Sequence, residues 1–400
     1  MNFRNGDLHM QLFTNIAYTS STLFIPVYAS DIGADSAEIG AIVAAYSVAL
    51  LLSNYTLGRL SDIYGRRSIL AYSLLFASAM AFLQLLAVDP AELLAVRFLL
   101  GLSAGSSSSL IAYAIDLKRD LGSFSSFASL GSAIGQGMAG IVIYLFAGKS
   151  VGRDLLSPVF ALSAILLLFT FFLSLGTAPS GRRRGSMRFF PPGVFRRGRA
   201  AFISLSLRHF GATAIWALFP LFCFALMPPS YSYGERLALV SLIYVLNSVV
   251  QVLSMRFLTH GMSSALLVQL GIALSSVTFL SFTFARNFYE LAATQILLGI
   301  AWSFMYVGGL RYVVERSPDS GASAGMLASL MALSGIGGPV VGGALASTVA
   351  SFGFGTFDGY IAVMYMASAL TALAAFVFYR MEYRKAGDRT GRQHNASSSL

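Results

Sequence analysis

Few residues in this chain could do chemistry, and most of those that could are charges in a sequence that otherwise avoids charge. The run Gly58-Arg59-Leu60-Ser61-Asp62-Ile63-Tyr64-Gly65-Arg66-Arg67 interrupts two long apolar stretches. Gly58 and Gly65 let two helix ends approach closely and turn. Asp62 offers a carboxylate to helix N-termini or arginines, and Arg66 and Arg67 hold the connection on one side of a membrane. Two arginines, Arg97 and Arg208, stand inside apolar stretches, where a charge is costly and therefore placed for a reason. All 17 Asp and Glu fall in loops, tails or helix ends by this reading, so no acid stands in mid-membrane to carry a proton. The nearest titratable groups are Asp31, Asp35, Glu38 and Asp116, with His209 beside Arg208. The sequence holds no nucleotide loop, no paired metal ligands among its four histidines and no Gly-x-Ser-x-Gly elbow, so neither an enzyme nor a cofactor or metal is expected.

The elements that must position these groups follow from composition. Hydrophobic residues make up 56% of the 400, charged residues only 11%, and the mean hydropathy is +0.71, which is the composition of an integral membrane protein. Twelve stretches are long enough to cross a bilayer as helices. They lie near 10–30, 39–58, 68–88, 91–113, 123–147, 156–176, 201–226, 237–257, 264–285, 290–313, 322–350 and 357–379. With both termini cytoplasmic, 21 of the 27 Lys and Arg fall in inside segments, four fall outside, and two lie within spans. The net charge of +10 then reflects topology and contact with anionic lipid rather than a nucleic-acid partner. The first apolar stretch is a full span, not a removable signal, and the single cysteine, Cys223, excludes an intrachain disulfide.

Residues 178–200, rich in Arg, Pro and Gly, separate the spans six and six. The predicted organisation is a six-helix bundle over 1–177, the basic linker 178–200, a second six-helix bundle over 201–380 and a tail over 381–400. The two bundles read as copies: Arg97-Phe-Leu-Leu-Gly101 parallels Gln295-Ile-Leu-Leu-Gly299, and Tyr46 and Tyr244 share the same offset.

The Gly58–Arg67 run resembles the signature loop between helices 2 and 3 of the major facilitator superfamily, with Ile63 where the family often carries a basic residue. The stretch Asp35-Ser-Ala-Glu38 and the later Gly338-Pro339-Val-Val-Gly342-Gly343 resemble patterns of its drug:proton antiporters. In helix 5 the proline of that pattern is Gln136, before Ala139-Gly140. The resemblance implies an all-α fold of twelve transmembrane helices in two halves, related by an axis along the membrane normal and rocking about a central cavity. It also implies a conformational gate at Gly58, Asp62, Gly65, Arg66, Arg67 and Asp116, the last pairing with an arginine. Gly101, Gly135, Gly140, Gly338, Pro339, Gly342 and Gly343 are expected at close helix contacts, where small residues let backbones approach. Spans 1, 4, 7 and 10 line the cavity in this family. The binding candidates are therefore Asn15, Tyr18 and Thr22, which share one helical face; Arg97; Arg208 and Trp216; and Gln295, Trp302 and Tyr306.

The function expected from these residues is secondary transport of small amphipathic molecules, as proton-coupled efflux, by a monomer in the cell membrane. The partners expected are the solute, protons and lipid. Import or facilitated passage of an organic anion, bound by Arg97 and Arg208, is the second reading. A non-transporting receptor or lipid-handling protein on the same fold is the third.

Overall fold

The computed structural model describes residues 6–105, 109–110, 113–114, 117, 121–147, 150–177, 193–317 and 320–397. Fourteen helices run through them: α1 (Gly6–Thr22), α2 (Ile25–Asp31), α3 (Ser36–Tyr64), α4 (Arg66–Leu83), α5 (Pro90–Ala104), α6 (Leu121–Phe146) and α7 (Arg153–Leu175), then α8 (Val194–Trp216), α9 (Phe219–Leu226), α10 (Tyr233–Phe257), α11 (Ser264–Phe282), α12 (Phe288–Glu315), α13 (Ser320–Ser351) and α14 (Thr356–Ser397). Among the described residues nine helices are long and apolar enough to cross a membrane, or ten if α8 and α9, bent by 49°, count as one span. The chain is an all-helical, multi-pass membrane protein.

The two expected spans missing from that count differ for separate reasons. The stretch 10–30 is broken into α1 and α2 because Pro26 at the start of α2 has no N–H for the carbonyl of Thr22 one turn earlier. The stretch 91–113 has its continuous described helix only to Ala104. The same break recurs later, with Pro220 four residues after Trp216, the last residue of α8. The Gly58–Arg67 run is not the loop that was expected. Residues 58–64 are the last turns of α3, and Gly65 alone, at φ +96°, joins it to α4. That angle is in the left-handed region only glycine adopts without strain.

Among the described residues five helices open on side-chain caps, one of them α11 with Ser263. α3 and α10 open on reciprocal caps, Asp35 with Glu38 and Ser232 with Glu235, while Asp89 caps α5 and Asn287 caps α12. Each such cap contributes about 1 kcal/mol by satisfying amides that the first turn leaves open.

Among the described residues, packing divides into three cores. One joins residues from both sides of segment 178–192, including Phe24, Tyr28 and Phe160 with Phe219, Phe222 and Phe282. A second draws only on earlier helices, around Leu74, Leu100 and Leu167, and a third only on later ones, around Phe202, Met305 and Phe378. The shared core lies at the end of the bundle where α3 and α10 begin, called here the closed end. There α13 crosses α3 so tightly that a Cβ on Gly343 would lie 3.1 Å from Gly40 Cα. Gly140 of α6 likewise abuts Ser241 of α10. The remaining candidate packing positions also sit at helix crossings: Gly101 against Tyr46 and Ala49 of α3, Gly135 against α1, Gly338 and Gly342 against α8, and the Pro339 carbonyl against Gly40.

α8 begins at Val194, inside 178–200, and α14 continues as helix to Ser397 through the expected tail.

Candidate substrate cavity

Next to the shared core lies a cavity of about 260 Å³, walled by helices from both sides of segment 178–192. Both helix breaks face it. Thr22, Leu23 and Pro26 line it from the α1–α2 break, and Trp216, Ala217 and Pro220 from the α8–α9 break. Backbone groups released at such breaks are tolerated at membrane depth where they border a cavity. Val43 and Ser47 of α3, Gln136 of α6, Tyr244 of α10, and Gly335 and Pro339 of α13 complete the walls. Trp216 packs against Tyr244 with ring centroids 5.3 Å apart and edge-on to Phe219 at 4.9 Å, so one wall is aromatic.

Arg97 is the one charged residue among those lining it. It is 2% exposed, and its guanidinium carbon stands 4.4 Å from the centre of the Tyr46 ring. Its Nε and Nη1 are buried and make no hydrogen bond. Gln136 is committed on one side only: Ser248 Oγ donates to its Oε1 at 2.7 Å, and Ser241 donates to its main-chain carbonyl. Among the described residues no Asp or Glu lines the cavity.

Of the binding candidates read from the sequence, Thr22, Arg97 and Trp216 are brought together here. The others are not among its lining residues. Asn15 turns its amide back to the Gln11 carbonyl at 2.8 Å. The buried Tyr18 hydroxyl lies beside Ser103 without closing a hydrogen bond. Arg208, 1% exposed, points into the later helices: its Nε donates to Ser275 Oγ at 3.0 Å, and it lies over Phe279 and Trp302. His209 packs against Trp302, which stacks on the exposed Tyr306, and Gln295 is wholly buried between helices. Tyr244 and Gln136 were not on the candidate list. Their signals were the Tyr46–Tyr244 offset and a glutamine in place of the helix-5 proline.

The gate candidates lie at the opposite end of α3. Arg67 Nη2 donates to the Leu175 carbonyl, tying α4 to the end of α7. Gly58 and Asp62 belong to the helical end of α3, and the Asp62 side chain lies outside the described residues, as does Asp116. At the closed end, two hydrogen bonds cross between the earlier and later helices: Tyr233 Oη donates to Asp31 Oδ2 at 2.6 Å, and Ser347 Oγ to Asp35 Oδ2 at 3.2 Å. Larger grooves of about 550 and 620 Å³ run between α6 and α10 and between α8 and α13. Exposed apolar side chains such as Leu242 and Leu333 line them, as lipid-facing surface requires.

One sealed end, two broken helices and a cavity between two groups of apolar helices define a membrane transporter rather than an enzyme. The chain belongs to the Major Facilitator Superfamily, whose family model matches residues 10–278. Multidrug resistance protein 1 of Bacillus subtilis (strain 168) is 23% identical over 356 residues, covering 84% of this chain and 88% of that protein. Among solved structures, the nucleoside transporter NupG superposes with a TM-score of 0.77 at 19% identity, covering 95% of this chain and 99% of its own. A bacterial homolog of the human lysosomal transporter Spinster, in an inward-facing and occupied conformation, gives 0.75 at 15% identity, covering 94% and 95%. The human organic anion transporter MFSD10 gives 0.61 at 19% identity, covering 94% and 98%.

Proposed function

We propose that this chain is a secondary transporter that exports small amphipathic molecules in exchange for protons by alternating access. The observation that carries this reading is a central cavity whose walls come from both sides of segment 178–192 and which is sealed at one end by contacts between the same two groups. The working units are six-helix bundles over 1–177 and 201–380, joined by 178–200 and acting as a monomer. Support for their kinship is a repeated contact: Gly101 abuts Tyr46 and Ala49, while Gly299, its counterpart in the parallel sequence, abuts Asn247 and Val250.

The bias of Lys and Arg toward the end opposite the closed one makes the closed end extracellular, in a cell membrane with both termini cytoplasmic. The present state then faces inward. The likeness to a multidrug resistance protein supports the export reading. In the opposite state Gly58, Asp62, Gly65, Arg66, Arg67 and Asp116 form the inner gate.

The deciding test is flux in proteoliposomes under an imposed pH gradient, with cationic, neutral and anionic solutes. Gradient-driven accumulation of at least one class is expected. Movement indifferent to pH would remove the proton from the mechanism, and no movement of any class would remove the transport reading.

A further inference from the structure

The transport reading leaves the head group of the solute open, and the cavity carries information about it. A guanidinium at membrane depth is costly to bury, and in proteins such charges are paired or hydrogen-bonded. Arg97 has neither an acid nor a hydrogen bond on two of its three nitrogens. The Tyr46 ring beneath it stabilises a cation but supplies no acceptor for those N–H groups. Arg208 also keeps one buried nitrogen, Nη1, without a hydrogen bond, but its Nε donates to Ser275 and it is not among the residues lining the cavity. Among the other polar groups on the walls, the Gln136 amide has its oxygen held by Ser248 and leaves its nitrogen uncommitted. Arg97 is thus the one formal charge where a solute would sit, and the aromatic face of Trp216 and Tyr244 stands on the same walls.

Resting on the transport reading above, we infer that this cavity binds amphipathic anions, with a carboxylate, sulfonate or phosphate head on Arg97 and Gln136 Nε2 and an aromatic or aliphatic body against Trp216 and Tyr244. A planar guanidinium and an amide N–H together match a two-oxygen head group. A cationic head would meet the like charge of Arg97 with no acid to offset it.

The test uses the full chain in neutral-lipid nanodiscs and three probes with one ring system: 2-naphthalenesulfonate, 2-naphthol and trimethyl(2-naphthyl)ammonium. Calorimetric titration is expected to rank the sulfonate at least about tenfold tighter than the ammonium, the factor that one lost charge interaction commonly sets. Arg97→Met should abolish that preference. Because a buried charge change can impair folding, Gln136→Glu is the companion variant. It keeps the side-chain shape and the acceptor for Ser248, and it should weaken sulfonate binding about tenfold while admitting the ammonium. Equal binding of sulfonate and ammonium, failure of all three probes to bind, or sulfonate binding unaffected by Gln136→Glu would each overturn the inference. Flux of the same probes separates the two levels. Transport of naphthol or ammonium without sulfonate sinks the anion assignment and leaves a transporter; transport of none sinks the reading beneath it.

Discussion

Tyr233 and Asp31 show how much a single pair can bear at the closed end. The hydroxyl of one and the carboxylate of the other meet at 2.6 Å across 202 residues of sequence. An exposed interaction with a charged group contributes up to about 1 kcal/mol, and this one is proposed to exist only while the end is closed. Tyr233→Phe should therefore shift the conformational balance toward outward opening by about two- to fivefold. The readout is labelling, by a membrane-impermeant maleimide, of a cysteine placed at Val43 in a Cys223→Ala background. Unchanged labelling would show that packing alone holds this end shut. At the cavity, Trp216→Ala should weaken solute binding by about 1–3 kcal/mol while leaving the helices intact, since an aromatic wall contributes area and little else. Calorimetry and circular dichroism on the same sample check both halves of that statement.

At the scale of elements, the two Pro-led breaks and the glycine crossings divide the labour. Pro26 and Pro220 interrupt helices beside the cavity, so α2 and α9 can take a different tilt from α1 and α8. Pro220→Ala restores an N–H and a continuous ladder; it is expected to straighten the 49° bend and slow flux several-fold, with little loss of thermal stability. A crossing glycine should behave oppositely. Gly343→Val drives a side chain into Ser36 and Gly40 of α3, and overpacking of this kind costs about 1–3 kcal/mol. The cost falls on the closed state alone, so Gly343→Val should raise outward labelling at position 43 with a modest change in melting temperature. The small residues of these crossings are visible in the sequence, whereas the breaks were not. A hydropathy window runs smoothly over Leu23-Phe24-Ile25-Pro26, because proline removes a hydrogen bond without making the stretch polar.

At the scale of the molecule, the three cores among the described residues suit the proposed alternation. Two cores stay within their own group of helices, and only the third spans both, at one end. Opening that end exposes one core and leaves two intact, which keeps the exchange within reach of a few interactions. The proposed inner gate is the counterweight. Asp62→Asn should favour the inward-facing state, lowering labelling at position 43 and slowing transport; a variant with wild-type flux and labelling would show that Asp62 holds nothing.

The sequence by itself determined that the chain lives in a membrane and which family its motifs resemble. Apolar length, the bias of Lys and Arg and the short motifs are properties of neighbouring residues, and so are the caps at Asp35, Asp89, Ser232 and Asn287 that start four helices. Tertiary structure alone decided which of two buried arginines meets the cavity. In the sequence Arg97 and Arg208 are each a charge in an apolar helix. Which helical face turns toward a cavity depends on how every other helix packs. Neighbours distant in sequence gave Arg208 the Ser275 hydroxyl and left Arg97 open. The same holds for the closed end, whose hydrogen bonds join residues more than 200 positions apart and leave no local trace in the chain.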